Sequence, residues 1–269
     1  MTFPQTAREV APWIVYLARI GYVAKAVLYA TVGTLAAQAA LSSGGRTTDL
    51  GGALRSVLRA PMGKAMLLVI AAGLVGYAVW RVVAAITDAE GRGGDLKGIV
   101  LRAASAVRGL AHAGLAVAAY HLATGSDDGG GEGSKRLTAR AFDLPGGEWL
   151  VWLAAAAVVG YGCYQLHRAY AAKLGSQLSL AALPAGAERW VIAVCRAGIA
   201  ARGIVFGLIG VLLARAAQRH DSEQAGGIRE SLEMVARTGR WPLVIIALGL
   251  VAYAVYELMN ARYRRISVE

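Results

Sequence analysis

The sequence predicts an all-α integral membrane protein: six transmembrane helices, arranged as three parallel-repeat helix pairs around a pseudo-threefold axis, with short amphipathic surface helices inside each repeat. Composition is the first reason. Of 269 residues 57% are hydrophobic and only 17% charged, with a mean hydropathy of +0.49, too apolar for an ordinary soluble domain. Second, the apolar residues run together: Ile20 to Leu41 holds Lys25 as its single charge, and Trp149 to Leu166 holds none. Third, one pattern is written three times. Arg19-Ile20-Gly21 with Lys25 and Tyr29 is repeated as Arg102-Ala103-Ala104 with Arg108 and His112, and as Arg196-Ala197-Gly198 with Arg202 and Phe206. Each unit also carries a second motif: Gly73, Gly76, Tyr77 and Trp80 are matched by Ala157, Gly160, Tyr161 and Tyr164, and by Gly249, Ala252, Tyr253 and Tyr256.

A bilayer core takes about 20 apolar helical residues, and the runs place spans near 14–40, 64–87, 102–124, 148–171, 190–216 and 241–262. The fifth is expected to be the weakest, because it must include Arg202 and ends at Arg215. Gly and Ala recur through every run and no segment alternates polar with apolar, so helices are favoured over barrel strands. The charged start and Ala37-Gln38-Ala39 imitate a leader with its cleavage site. Because the first helix carries the Arg19/Lys25 motif, we read it as a span. The chain thus forms a single membrane domain, 1–269, with repeats 14–90, 98–174 and 190–266. Within each repeat, glycine followed by one or two amphipathic turns (52–59, 135–142, 228–235) predicts a short helix on the membrane surface.

An even number of spans puts both termini on one side, and Lys/Arg are divided almost evenly between the two sides. The crowding of Arg81, Arg102, Arg168, Arg262, Arg264 and Arg265 at helix ends favours cytoplasmic termini. The net charge of +11 comes without a basic face interleaved with stacking aromatics, so nucleic acid is not an expected partner. Anionic membrane lipids are, with Arg19, Arg102, Arg196, Arg262, Arg264 and Arg265 as headgroup contacts.

Lys25, Arg108 and Arg202 lie about 9 Å deeper than the arginine that opens each repeat. Cations at membrane depth face a bundle interior or a wet cavity unless their stems return the charge to the interface. Four residues on, Tyr29, His112 and Phe206 share a face with them, which allows a cation to stack on a ring in the first and third units; His112 breaks the pattern and reads as a packing residue or as a proton-sensitive group beside Arg108. Tyr77, Tyr161 and Tyr253 follow small residues that let helices approach closely in lipid. Packing alone accounts for such a stripe; pointed inward, the tyrosines help place the cations. Just beyond them stand Arg81, Gln165 and Glu257, and Glu257 is the expected partner of Arg202 or Arg196. Candidate ligand-binding residues are therefore Lys25, Arg108, Arg202, Tyr29, His112, Tyr77, Tyr161 and Tyr253. Cys163 and Cys195, without a CxxC motif, are expected to be small buried apolar residues.

No nucleophile elbow, zinc motif, phosphate loop or deep carboxylate pair is present. No catalysis, cofactor or metal is expected.

The repeated Arg-x5-Lys/Arg starts and Gly-x-x-Gly/Ala-Tyr-x-x-Trp/Tyr returns resemble a bacterial membrane family built from three consecutive helix pairs, domain of unknown function 1206. The resemblance spans about residues 14 to 266 and is loosest in the middle unit, where Ala104 replaces glycine and His112 the aromatic. It implies a six-helix protein of the bacterial inner membrane and names no activity. Two functions remain open. One is binding or transport of an anion or anionic lipid headgroup in a vestibule ringed by the inner cations. The other is a structural or accessory subunit, without substrate, that packs on a protein partner in a larger membrane complex.

Overall fold

A computed structural model describes residues 12–42, 47–88, 91–126, 133–171 and 186–264. Its elements are helical throughout. In chain order they are α1 (Pro12–Leu41), α2 (Leu50–Leu58), α3 (Gly63–Thr87), α4 (Leu96–Thr124), α5 (Gly133–Phe142), α6 (Gly147–Ala171), α7 (Ala187–Arg219), a 3-10 turn at Ser222–Gln224, α8 (Ile228–Thr238) and α9 (Arg240–Tyr263). Long helix, short helix, long helix recurs three times.

Five of the long helices are apolar and long enough to cross a membrane: α1 (over Ala18–Leu41), α3, α6, α7 and α9. The expectation that the fifth span would be weakest is corrected here. Helix α7 runs for 33 residues, and the helix that falls short is α4, whose apolar stretch is interrupted by Arg108, His112 and His121.

The short helices behave as amphipathic caps. Helix α2 starts at Asp49, whose carboxylate accepts the Gly52 N–H at 2.7 Å, and buries Ala53, Leu54 and Val57. Helix α8 buries Ser231, Leu232 and Val235 at the same spacing. Its Glu230 accepts the Gly227 N–H at 2.7 Å. Partial burial opposes ionisation of this carboxyl, yet the backbone N–H bonds and the Arg229 guanidinium hold it below the usual carboxylate range. Helix α5, in the middle unit, buries only Thr138.

Packing joins the long helices in the order α4, α3, α1, α9, α7, α6. The returning helix of one unit lies along the first helix of the next, through equivalent contacts. A Cβ on Gly33 of α1 would meet Ala247 and Val251 of α9, and one on Gly210 of α7 would meet Ala155 and Val159 of α6. Likewise Gly109 of α4 faces Ala78, Arg81 and Val82, while Gly203 of α7 faces Gly162, Gln165 and Leu166. Within a unit, a Cβ on Gly21 would stand 2.5 Å from the Tyr77 Cβ, and one on Gly198 would stand 2.3 Å from the Tyr253 nitrogen. These glycines let α1 meet α3 and α7 meet α9 backbone to backbone. Helices α4 and α6 share no comparable packing among the described residues.

The three sharp turns into the returning helices are equivalent as well, with positive φ at Met62 (59°), Gly146 (73°) and Gly239 (141°). Two units use glycine there. The first holds a methionine in the left-handed region, which is unfavourable for an L-residue.

Candidate functional site

The two ends of the helix series come back together around an interior polar cluster. Helix α1 supplies Tyr22 and Lys25, α3 Tyr77 and Arg81, α4 Arg108 and His112, α6 Tyr161, Gln165 and Arg168, α7 Arg202, and α9 Tyr253, Tyr256, Glu257 and Asn260; Arg264 follows α9. They line a cavity of about 30 Å³, room for a group the size of one water. Lys25 and Arg202, at 4% and 5% exposure, are buried, whereas Arg108 and Tyr161 are half-buried.

Each inner cation has a different environment. Lys25 Nζ is 2.7 Å from Glu257 Oε1, donates to the Tyr77 hydroxyl at 3.4 Å and lies 4.5 Å from the Tyr77 ring centre. Arg202 donates from Nε to the Tyr29 hydroxyl at 2.9 Å and from NH1 to the Tyr161 hydroxyl at 2.8 Å. Its guanidinium sits among the rings of Phe206 (4.5 Å), Tyr253 (4.9 Å), Tyr161 (5.5 Å) and Tyr29 (5.7 Å). Arg108 returns Nε to the Ala104 carbonyl at 3.1 Å and lies 5.8 Å from the Tyr161 ring. Among the described residues neither Arg108 nor Arg202 meets a carboxylate.

Seven of the eight predicted binding residues line this cavity. The eighth, Tyr29, stands behind Arg202 and holds it through its hydroxyl. Two expectations are corrected. Glu257 pairs with Lys25 and not with Arg202 or Arg196, because α9 packs along α1 and brings the last unit against the first. The helix-internal stacking holds for Arg202 over Phe206 but not for Lys25 over Tyr29. His112 Nδ1 faces the Arg108 carbonyl at 2.7 Å, which fixes Nδ1 as the donor because a carbonyl only accepts, and the ring packs 4.7 Å from Tyr77. Lys25 rests on Tyr77 and Tyr22.

Of the expected headgroup arginines, Arg196 and Arg262 are exposed and Arg19 half-buried. Arg102 binds the Ala85 and Ile86 carbonyls at the end of α3 at 2.7 and 2.9 Å, as cations do at helix C-termini. Arg264 lines the cavity and lies 5.6 Å from the Tyr22 ring, and Arg265 falls outside the described residues. Cys195 is buried, as expected; Cys163, also expected to be buried, is corrected to an exposed position on α6. Tyr22, Arg168 and Asn260 are cavity residues that the repeat motifs did not single out. For Arg168 the signal was positional: it lies one turn beyond the motif residue Tyr164, and its guanidinium donates to the hydroxyl of Tyr256, another motif residue, at 2.6 Å.

Apolar helices packed around a buried polar cluster, in three repeated units, define a helical membrane protein with internal repeats. The family described as Domain of Unknown Function (DUF1206) matches at residues 20–88, 103–172 and 197–264, and the chain belongs to it. The chain is also similar to an uncharacterized protein of Bacillus subtilis (strain 168), YxxB, with 30% identity over 268 residues, covering 97% of this chain and 95% of the relative. No solved structure matches it.

Proposed function

We propose that the protein binds or transports an anion or an anionic lipid headgroup where Arg108 opens onto the cavity that it lines with Lys25 and Arg202. One observation carries the reading: three cations from three equivalent positions converge on one buried space that among the described residues offers a single carboxylate, Glu257, already engaged by Lys25. Arg108, half-buried and among the described residues bonded through Nε alone, has its two terminal nitrogens to offer, and a guanidinium fork suits phosphate or carboxylate.

In this reading six helices cross the bacterial inner membrane as a pseudo-threefold ring. Helix α4 is the sixth; its 29 residues reach ~43 Å, and its charges turn inward. Trp149 and Trp241, exposed at the starts of α6 and α9, and Trp190, exposed at the start of α7, fit the two interfacial belts. The termini lie in the cytoplasm, so the cavity opens in the inner leaflet.

The accessory-subunit reading has its own support. Lys25 is satisfied by Glu257, and Arg202 by two tyrosine hydroxyls and four rings, as structural latches would be. Native mass spectrometry of the detergent-purified protein with inorganic phosphate and with anionic lipid separates the two. Binding expects Arg108→Met to lose both ligands with the fold intact, and Lys25→Met and Arg202→Met to weaken them. Unchanged retention in all three variants leaves the accessory role.

A further inference from the structure

The middle unit is built to stay open. In the first and third units the seam between opening and returning helix is lined by Gly21, Ala24 and Gly73, and by Gly198, Ala201 and Gly249, and it is closed, with Gly21 against Gly73 and Ala201 against Gly249; all six residues are buried. At the equivalent positions the middle unit has Ala104, Val107 and Ala157. Every one is larger. Where a Cβ on Gly198 would stand 2.3 Å from the opposing backbone, Ala104 carries that atom, so α4 cannot approach α6 as α7 approaches α9. The outcome is visible along the whole seam. Val107, Ala111 and Gly114 on α4 and Ala157 and Gly160 on α6 are exposed, and among the described residues a Cβ on Gly114 or Gly160 would meet nothing within 4 Å. At the inner end stand Arg108 and Tyr161, which belong to both seam and cavity. Behind them Gln165, 1% exposed, lines the cavity with an Oε1 that accepts no hydrogen bond among the described residues.

We propose that the α4/α6 seam is a lateral portal that holds an anionic phospholipid with a hydroxylated headgroup: an acyl chain in the seam, the phosphate at Arg108, and a headgroup hydroxyl donating to Gln165. This rests on the anion-binding reading and names its ligand class. The chemistry selects the occupant. A slot of alanine, valine and glycine takes a hydrocarbon chain; the cation at its inner end takes a phosphate; the cavity of about 30 Å³ beyond takes a group no larger than a hydroxyl. An apolar helix from a partner would fill the slot but bring nothing for Arg108 or Gln165, and a free inorganic anion would make no use of the slot.

The test uses the full-length protein in detergent, incubated with mixed micelles of phosphatidylglycerol, phosphatidic acid or phosphatidylcholine, or with inorganic phosphate, and read by native mass spectrometry. Two variants obstruct the portal in opposite ways. The triple change Ala104→Gly, Val107→Ala, Ala157→Gly gives the seam the residues of its closed counterparts, and Gly160→Phe fills it. Both are expected to lose retained phosphatidylglycerol while keeping inorganic phosphate. Gln165→Leu is expected to erase the preference for phosphatidylglycerol over phosphatidic acid. Retention unchanged in both seam variants overturns the portal. A wild-type dimer that dissociates in both seam variants overturns it too, because a second copy is then the occupant. Loss of phosphate and lipid together in Arg108→Met, with the seam variants behaving as expected, supports both levels of the argument. No effect of Arg108→Met on either ligand removes the anion-binding reading itself.

Discussion

Seams α1/α3 and α4/α6 occupy equivalent places in their units, yet one is shut and the other is not. At the first, Gly21 lies so close to Tyr77 that no side chain fits between them; at the second, Ala104 and Tyr161 flank a gap. The difference amounts to a methyl at two positions and a β-branch at a third. Repeated architecture therefore does not mean repeated role: two units form a closed wall, and the third supplies access and the most accessible inner cation. Burial follows the same division, since 22% of the apolar window of α6 is buried against 56% in α3.

The largest effect that would break this comparison lies in the wall. Glu257→Leu leaves Lys25 as an unpaired buried cation, and removing one partner of a buried pair destabilises by about 3–5 kcal/mol. Thermal unfolding in detergent should show that drop, and Lys25→Met combined with Glu257→Leu should recover most of it. If the single variant unfolds at the wild-type temperature, the first and last units are not held by this pair.

A smaller effect sharpens the contrast between seams. Gly198→Ala places its Cβ against the Tyr253 backbone, and overpacking of this kind costs about 1–3 kcal/mol. Ala104→Gly, the reverse change at the open seam, should shift the melting temperature little. Equal losses from the two changes would mean that the seams are packed alike.

The smallest effect concerns the turns. Met62→Gly relieves a left-handed methionine that the other two units avoid and should raise stability by about 1 kcal/mol, read as a small upward shift in the same melts. A loss would show that the methionine side chain holds the turn.

Much of this was legible in the sequence. The helix pairs, the surface helices and the convergence of the inner cations follow from periodicity, since residues with equal spacing on equivalent helices must face equivalent directions. What escaped was pairing and proximity. Symmetry brings Glu257 near several cations; only the neighbour relation of α9 to α1, 232 residues apart at the Lys25–Glu257 contact, selects Lys25. The open seam escaped for a different reason. The Ala104 substitution stood in the motif comparison, but a single methyl matters only where backbones would otherwise touch, and that distance is not written in the sequence. Helix α4 was read on length, while Arg108, His112 and His121 interrupt its apolar run.

The bond between Lys25 and Glu257 also orders events in time. Lys25 is made in α1 and Glu257 in α9, so until α9 is synthesised α1 carries a cation whose carboxylate does not yet exist. Until α9 inserts beside α1, that charge must be hydrated or held at the interface, because a lone ammonium in hydrocarbon is unfavourable. A chain truncated before α9 never resolves this state. The joining of α9 to α1 is thereby registered inside the membrane as the neutralisation of one charge.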